Sequence, residues 1–298
     1  MKRFLLAGLV AVAMCGAAHA EGIKVGVSFQ EMNNEYFVVM NEALQEAVDS
    51  IGGTLYVTDA AHDVVKQTND VEDLVSKGIK ILIMNPTDSE GVRNAVEYAK
   101  KKGVVVVSVD AQAKGPIDSF VGSKNYDAGV LSCTALANEL KGKGDVAILD
   151  GIPVVPILER VRGCKDALAK FPDIKLVDVQ NGKQDRTIAM GVVENMIQAK
   201  PNLAGIFSVN DGGAMGVLAA IESSGKNIVL TSVDGSPEAI SAILEGTAFK
   251  ATAAQYPRDQ VRIGFGVALA KYWGANVPAV IPVDVKLIDT SNAKGFSW

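Results

Sequence analysis

Apolar segments alternate with helix-like segments along almost the whole chain, and the pattern occurs twice. In the first half, one apolar strand ends at Asn85 and the next ends at Asp110, with a helix-like stretch between them. In the second half, the same pattern ends at Asn210 and Asp234. Strands that are apolar on both faces are buried on both faces, which is typical of parallel sheets covered by helices. The pattern therefore predicts two similar domains with polar residues at matching strand ends.

The spacing of the apolar residues also predicts the individual elements. Strands are expected near residues 24–28, 54–58, 80–85 and 104–110, and again near 145–149, 175–180, 205–209 and 228–234. Helices are expected at 34–50, 64–77 and 89–102, and again at 156–170, 186–199 and 212–224. Regular alternation of this kind indicates βαβ units in open parallel sheets. The predicted fold class is therefore α/β, with two similar doubly wound parallel-sheet domains.

The residues beyond the second copy are expected to return to the first domain. Segments 119–123 and 249–255 resemble extended connections between the halves, and a helix at 257–272 and a strand at 282–288 follow. The chain would then cross between the domains three times at a hinge. We expect one lobe to contain residues 21–124 and 256–284, and the other to contain residues 125–255 and 285–298.

The first twenty residues have the pattern of an export signal. Lys2 and Arg3 precede an apolar run, and an Ala-x-Ala cleavage site ends at Ala20. A lipoprotein would instead be anchored at Cys15, but Met14 is a poor residue before such a cysteine. We therefore expect an exported protein that is cleaved after Ala20.

Charge and cysteine content narrow the function classes. Cleavage removes two positive charges from a chain of formal net charge −5, and the mature chain has no basic patch. This argues against binding of nucleic acid or of anionic membranes. Cys133 and Cys164 remain after cleavage. In an oxidising compartment they could form a disulfide, and alternatively each could be a small buried apolar residue.

Polar residues at or after the predicted strand ends are the candidate binding residues, because ligands of open α/β sheets lie beyond the carboxyl ends of the strands. Amides and carboxylates offer mixed donors and acceptors, arginine donates a planar fork, and aromatic faces cover apolar C–H groups. This mixture indicates a site for a neutral molecule with many hydroxyl groups. The candidates are Gln30, Asn34, Tyr36, Phe37, Asn85, Asp110, Arg160, Arg162, Gln184, Asn210, Asp234 and Gln255.

Some of these residues also have a purely structural interpretation, and evidence for catalysis is weak. Asn210 or Asp211 could cap the following helix, and Asp234 could begin a turn.

His62 is the only histidine of the mature chain and fits an exposed loop residue better than a general base. The sequence contains no nucleophile elbow, Walker loop or metal-ligating motif. We expect neither an enzyme nor a cofactor or metal site.

These residues resemble those of the periplasmic sugar-binding proteins of ABC transporters, in particular the ribose-binding type of type I periplasmic binding protein. The resemblance covers essentially the whole mature chain. It is sharpest at residues 32–37 (MNNEYF), 83–89 (IMNPTDS), 160–163 (RVRG), 209–211 (VND) and 233–235 (VDG). It implies a periplasmic receptor whose two lobes close over a small sugar or polyol and present it to a membrane permease.

The same resemblance implies roles for individual side chains. Gln30 would be a ligand-facing polar residue, and two aromatic residues, Tyr36 and Phe37, would sandwich the sugar ring. Hydrogen bonds to the sugar hydroxyls would come from Asn34, Asn85, Asp110, Arg162, Asn210, Asp234 and Gln255.

Two positions depart from the ribose-binding pattern. That pattern has an Arg directly after the first-domain Asp, where this chain has Ala111, and an aromatic residue at the position of Gln184. Loss of the Arg and a more polar second wall would favour a linear polyol or inositol over a ring aldose. An ordered water or a neighbouring side chain could instead replace the Arg and keep a pentose site. Both ligand classes stay open at this point.

Two other function classes share parts of this pattern. A sugar-responsive regulator of the lactose-repressor type resembles the two-domain fold, but it would need a helix-turn-helix and a basic surface. A periplasmic sugar-modifying enzyme would need an acid–base pair. The sequence favours a monomeric receptor that delivers its ligand to a permease, and its closed form could also serve a chemoreceptor.

Overall fold

The computed structural model describes residues 22–298, and the predicted export signal at residues 1–20 lies outside the described residues. Within 22–298 the chain forms two six-stranded sheets. No helix in this part of the chain is long and apolar enough to cross a membrane.

The elements follow one another in a regular strand–helix order. The first part contains β1 (Lys24–Phe29), α1 (Glu35–Asp49), β2 (Thr54–Asp59), α2 (Val64–Ser76), β3 (Ile81–Met84), α3 (Arg93–Lys101), β4 (Val105–Val109) and β5 (Ser119–Ser123). The second part contains α4 (Asn125–Glu139), β6 (Lys143–Asp150), α5 (Val155–Leu168), β7 (Asp173–Asn181), α6 (Arg186–Ala199), β8 (Leu203–Ser208), α7 (Asp211–Ser224), β9 (Val229–Asp234), α8 (Pro237–Leu244) and β10 (Phe249–Ala254). The last part contains α9 (Pro257–Tyr272), β11 (Val280–Val283) and β12 (Lys286–Asp289).

The two sheets have matching strand orders. The first has the order β11-β5-β4-β3-β1-β2, and the second has the order β12-β10-β9-β8-β6-β7. Neighbouring strands are parallel, except that β12 runs antiparallel to β10. The predicted fold class of two similar, doubly wound α/β domains is confirmed.

Strand β3 shows why the strands are apolar at every position. All four of its residues are buried. Ile81 and Ile83 belong to one apolar cluster, whereas Leu82 and Met84 belong to another. Since alternate side chains of a strand point to opposite faces, the sheet has an apolar core on each side.

Three details differ from the sequence-based prediction. Segments 119–123 and 249–255 are not connections but contain β5 and β10, which pair inside the two sheets. The single strand expected at 282–288 is two short strands in different sheets, because the chain changes lobe between Val283 and Lys286. Helix α8, which follows the Ser236 cap, was not predicted as a separate helix.

The chain passes between the two lobes three times, as predicted. The crossings lie between β5 and α4, between β10 and α9, and between β11 and β12. Helix α9 packs against α1 and β4 of the first lobe, and α4 packs against α5 and β9 of the second. The carboxyl ends of the two parallel sheets therefore face each other across a cleft with its hinge at the crossings.

Candidate functional site

A cavity of about 20 Å³ lies between the facing strand ends, and we call it the inner cavity. The structure brings together in its wall every predicted site residue except Asn85 and Arg162. Its lining residues are Gln30, Asn34, Tyr36, Phe37, Asp110, Val154, Pro156, Ile157, Arg160, Gln184, Asn210, Asp234 and Gln255. Both lobes contribute hydrogen-bonding groups to one enclosed space.

Two carboxylates mark the facing edges of the sheets. Asp110 directly follows β4, and Asp234 ends β9. Both have positive φ angles, 60° for Asp110 and 139° for Asp234, which are uncommon for residues other than glycine. Each residue is only 6% exposed. The chain therefore turns sharply at both strand ends and directs a buried carboxylate toward the inner cavity.

Asn85 supports Asp110 from outside the cavity wall. Its Nδ2 donates to Asp110 Oδ2 at 3.1 Å, and its Oδ1 accepts from the backbone N–H of Gln30 at 3.2 Å. The buried Gln67 of α2 donates from Nε2 to the Asn85 carbonyl at 2.9 Å. Asn85 is therefore a positioning residue for Asp110 in this structure, rather than a group that faces the inner cavity.

The two aromatic residues stand at the start of α1. Asn34 caps this helix, with its Oδ1 accepting from the backbone N–H of Tyr36 at 3.0 Å. The rings of Tyr36 and Phe37 meet edge to face, with centroids 5.3 Å apart. The Tyr36 hydroxyl accepts from Gln260 Nε2 at 2.8 Å. The sequence did not indicate this contact, because Gln260 lies on α9, which rejoins the lobe after more than a hundred intervening residues.

Arg160 supplies the positive charge of the site. It is 3% exposed and lies on α5. Its Nε donates to Asn125 Oδ1 at 2.8 Å, and its Nη1 donates to the Val209 carbonyl at 2.8 Å and to Asp234 Oδ1 at 3.4 Å. These contacts connect the start of α4, the end of β8 and the end of β9, so the guanidinium is held rigidly at the cavity wall.

The structure corrects the assignment of Arg162 as the ligand-binding arginine. Arg162 lies on the outer face of α5, where its side chain is 58% exposed and its Nη2 is 2.5 Å from Glu159 Oε2. Two residues along a helix correspond to a rotation of about 200°, so Arg160 and Arg162 point to opposite sides. The helical spacing of the buried residues Ile157, Arg160 and Cys164 could have identified Arg160 as the buried arginine from the sequence.

Close packing of α4 and α5 places Arg160 at the cleft. A Cβ atom on Gly129 would lie 2.0 Å from the Arg160 carbonyl oxygen, and one on Gly163 would lie 2.1 Å from the Tyr126 carbonyl oxygen. Only glycine fits at these two contacts. The same helices carry Cys133 and Cys164, which form a disulfide with a Cα–Cα distance of 5.0 Å. Of the two interpretations of these cysteines, the structure has the disulfide.

The wall contributed by the second lobe is rich in amides. Asn210 caps α7, as its structural interpretation predicted, and also lines the inner cavity. Its Nδ2 donates to the Gln184 carbonyl at 3.3 Å. Gln255 donates from Nε2 to Asp234 Oδ1 at 2.7 Å. Within residues 22–298, Gln255 Oε1 and Gln30 Oε1 are buried and have no hydrogen-bond partner, so the site contains two free acceptors.

The buried acids of the site titrate closer to neutral pH than usual. Burial raises the pKa of the Asp110 carboxyl to about 6, although the charge of Arg160 acts in the opposite direction. Burial also raises the pKa of Asp234, again against the charge of Arg160. Asp211, which accepts from the Gly235 N–H at 2.8 Å, has its pKa raised to about 7 by burial and by the charge of Asp234. Asp211 was only a capping candidate from the sequence.

A second space of about 450 Å³ adjoins the inner cavity, and we call it the outer cavity. Asn34, Gln184 and Asp234 line both spaces. His62 lies here in a loop, as expected, with its Nε2 3.0 Å from Glu31 Oε2, and this hydrogen bond raises the His62 pKa. In the described part of the chain, no group of three or more His, Cys, Asp or Glu residues is arranged to hold a metal ion.

Known proteins share this architecture. The ribose import binding protein of Bacillus subtilis (strain 168) is 33% identical over 264 residues, which cover 88% of this chain and 86% of that protein. A solute-binding protein of an ABC transporter from Actinobacillus succinogenes 130z, solved with bound D-allose, is 29% identical with a TM-score of 0.87, covering 92% of this chain and 100% of that one. The myo-inositol binding protein of Caulobacter, solved with myo-inositol, is 27% identical with a TM-score of 0.86. The match covers 91% of this chain and 95% of that one.

The family match runs through both lobes. Residues 25–274 match the periplasmic binding protein domain. The members compared above are solute-binding proteins, and the resemblance drawn from the sequence motifs is confirmed. With its duplicated sheets facing one shared cavity, this chain belongs to the periplasmic binding protein family.

Proposed function

We propose that the protein is the solute-binding component of an ABC importer. It captures one small, neutral sugar or polyol between its two lobes and presents it to a membrane permease. The observation that carries this proposal is the position of Asp110 and of the Arg160–Asp234 pair, which reach one inner cavity from different lobes. Ligands named for the relatives, which include ribose, D-allose and myo-inositol, belong to the same chemical class.

The hydrogen-bonding groups fit a ligand with many hydroxyls. Asp110, Asp234 and the free Oε1 atoms of Gln30 and Gln255 can accept from hydroxyl groups. Arg160 donates, and each hydroxyl can also accept hydrogen bonds. The rings of Tyr36 and Phe37 offer apolar faces to C–H groups. An anionic ligand would meet two buried carboxylates, which favours a neutral molecule.

The size of the inner cavity indicates that the lobes must move to admit such a ligand. A space of about 20 Å³ holds roughly one water molecule, which is far smaller than a sugar. A hinge motion at the three crossings would open the cleft, and contacts from both lobes to one ligand would then favour closure. The closed surface is what a permease, or a chemoreceptor, would recognise.

We also propose how the protein is processed and that it does not convert its ligand. The protein would be exported to the periplasm, cleaved after Ala20, and active as a monomer. The buried acids have clear roles as hydrogen-bond acceptors, since Asp110 accepts from Asn85 and Asp234 accepts from both Arg160 and Gln255. We therefore expect the protein to return its ligand chemically unchanged.

Calorimetry with a panel of D-ribose, D-allose, xylitol and myo-inositol tests the function. We expect one site per chain and unchanged ligand after prolonged incubation. A thermal-shift assay provides an independent readout, because a ligand at a hundred times its Kd adds about 2.7 kcal/mol to the free energy of unfolding. Asp234→Asn is the negative control. Binding of no member of a broader sugar and polyol panel, or conversion of the ligand to product, would contradict the proposal.

A further inference from the structure

A segment anchored on the second lobe carries a tryptophan toward the first lobe. Ala293 is buried in an apolar core of the second lobe, and Phe296 packs against the same core. The Phe296 ring also lies beside Tyr256, with centroids 6.4 Å apart. Trp298, two residues further on, lines the outer cavity. The backbone that leads to Trp298 is therefore anchored on the second lobe.

Trp298 contacts a site residue of each lobe. Its Nε1 donates to the backbone carbonyl of Asp234 at 2.8 Å. Its ring meets the Tyr36 ring edge to face, with centroids 5.6 Å apart and an interplanar angle of 85°. It also packs against the apolar cluster of the first lobe that contains Phe37. Tyr36 and Asp234 both line the inner cavity, so Trp298 contacts two residues of its wall from the outer cavity.

The two contacts of Trp298 can exist together only when the cleft is closed. Tyr36 lies on the first lobe and Asp234 on the second, so separation of the lobes breaks either the ring contact or the Nε1 hydrogen bond. The outer cavity shares residues Asn34 and Asp234 with the inner one. A ligand that leaves the inner cavity by this route passes the indole ring.

We infer that Trp298 is a positioning residue that closes the mouth of the cleft, holds Tyr36 against the ligand and slows ligand release. This inference rests on the proposed function. The indole has two separable contributions, the ring contact to Tyr36 and the N–H donated to the Asp234 carbonyl. Trp298→Phe keeps an aromatic ring and removes the donor, whereas Trp298→Ala removes both.

The test compares the parent, Trp298→Phe, Trp298→Ala and the control Trp273→Phe. Trp273 follows α9 as its C-cap, is 72% exposed and is the other tryptophan of the sequence. Stopped-flow dissociation and calorimetry use D-ribose or myo-inositol, whichever binds the parent. We expect Trp298→Ala to raise the dissociation rate constant by about tenfold or more and to change the association rate constant less. The dissociation rate constant of Trp298→Phe should lie between those of the parent and Trp298→Ala. Trp273→Phe should match the parent.

A fluorescence measurement provides a second readout that does not depend on folding of the Trp298 variants. In Trp273→Phe, emission comes from Trp298 alone, and saturation with the same sugar should shift its emission and protect it from acrylamide quenching. Unchanged emission, or Trp298→Ala dissociation within about twofold of the parent, overturns the inference. Absence of sugar binding by the parent is a different result, which rejects the proposed function and the inference together.

Discussion

Arg160 lies 3.4 Å from the Asp234 carboxylate, and both side chains are less than a tenth exposed, at 4% and 9%. The same guanidinium lowers the pKa of Asp110 on the opposite lobe, against the larger effect of burial. One cation therefore acts on the buried carboxylates of both lobes. Removing one partner of such a buried ion pair strongly destabilises the protein, because the other charge stays buried and unpaired.

Replacing Arg160 should abolish binding, whereas replacing Arg162 should not. We expect Arg160→Ala to weaken sugar binding by at least about a hundredfold and to lower the free energy of unfolding by roughly 3 kcal/mol. Arg162→Ala is a matched control on the same helix, since its side chain is exposed and paired with Glu159. Calorimetry and chemical denaturation measure both effects. Equal loss of affinity in the two variants would show that Arg160 has no special role.

Asp110→Asn should stabilise the free protein in a pH-dependent way. The pKa of Asp110 is raised to about 6 in the folded protein, so its favourable contribution is present at low pH and is lost as the pH rises through that value. We expect Asp110→Asn to be more stable than the parent by roughly 3 kcal/mol near neutral pH, and the difference to disappear below about pH 4.

Denaturant titrations of both proteins across this pH range measure the effect, and Asp118→Asn is the control. Asp118 is also an acid of the first lobe, but it lies 2.5 Å from Lys100 Nζ rather than in the cleft. The same Asp110 variant should bind sugar much more weakly, because its amide has one accepting oxygen where the carboxylate has two. A stability difference that is constant with pH would contradict the assignment of this titration to Asp110.

The Cys133–Cys164 disulfide should stabilise the second lobe. It spans 31 residues, and in the loop-entropy model a bridge of that size contributes about 3 to 4 kcal/mol. Both cysteines are fully buried, so the double variant Cys133→Ala/Cys164→Ala avoids placing new polar groups in the core. We expect the free energy of unfolding of this double variant to be lower than that of the parent by that amount. The parent with its disulfide reduced should show the same loss. Thiol titration of the denatured, unreduced parent should find no free thiol.

Gln184 should help to decide between open-chain polyols and ring sugars. It lines the inner cavity and its Oε1 accepts from the Ile152 N–H at 3.4 Å, so a polar amide occupies the second wall. Gln184→Phe would provide a flat apolar face, which favours a ring sugar. We expect the affinity ratio of D-ribose to xylitol to rise by roughly three- to tenfold.

Gln184→Leu is the control for this prediction, because it is apolar but has no ring. Calorimetry with the two ligands gives the ratio for each variant. If Gln184→Phe and Gln184→Leu change the ratio equally, loss of the amide rather than gain of a ring face determines selectivity.

The strand-end residues were predictable because the sequence pattern that marks them lies within a few neighbouring residues. A fully apolar strand predicts two-sided burial, and β3 shows this in the alternation of its residues between two cores. The polar residue after such a strand lies at the edge of the sheet, which placed Asp110 and Asp234 correctly. Repetition of the same pattern also predicted two lobes, and the helix and strand after the second copy predicted the three crossings between them.

The sequence alone determined the fold class and the facing strand ends, because hydrophobic periodicity and residue type are properties of short segments. Only the tertiary structure decided the partners of Arg160, since Asn125, the Val209 carbonyl and Asp234 lie on three separate elements. It also decided the contacts of Gln260 and Trp298 with Tyr36, which join residues more than 200 positions apart. No local pattern encodes such contacts, because they arise when separate elements pack together.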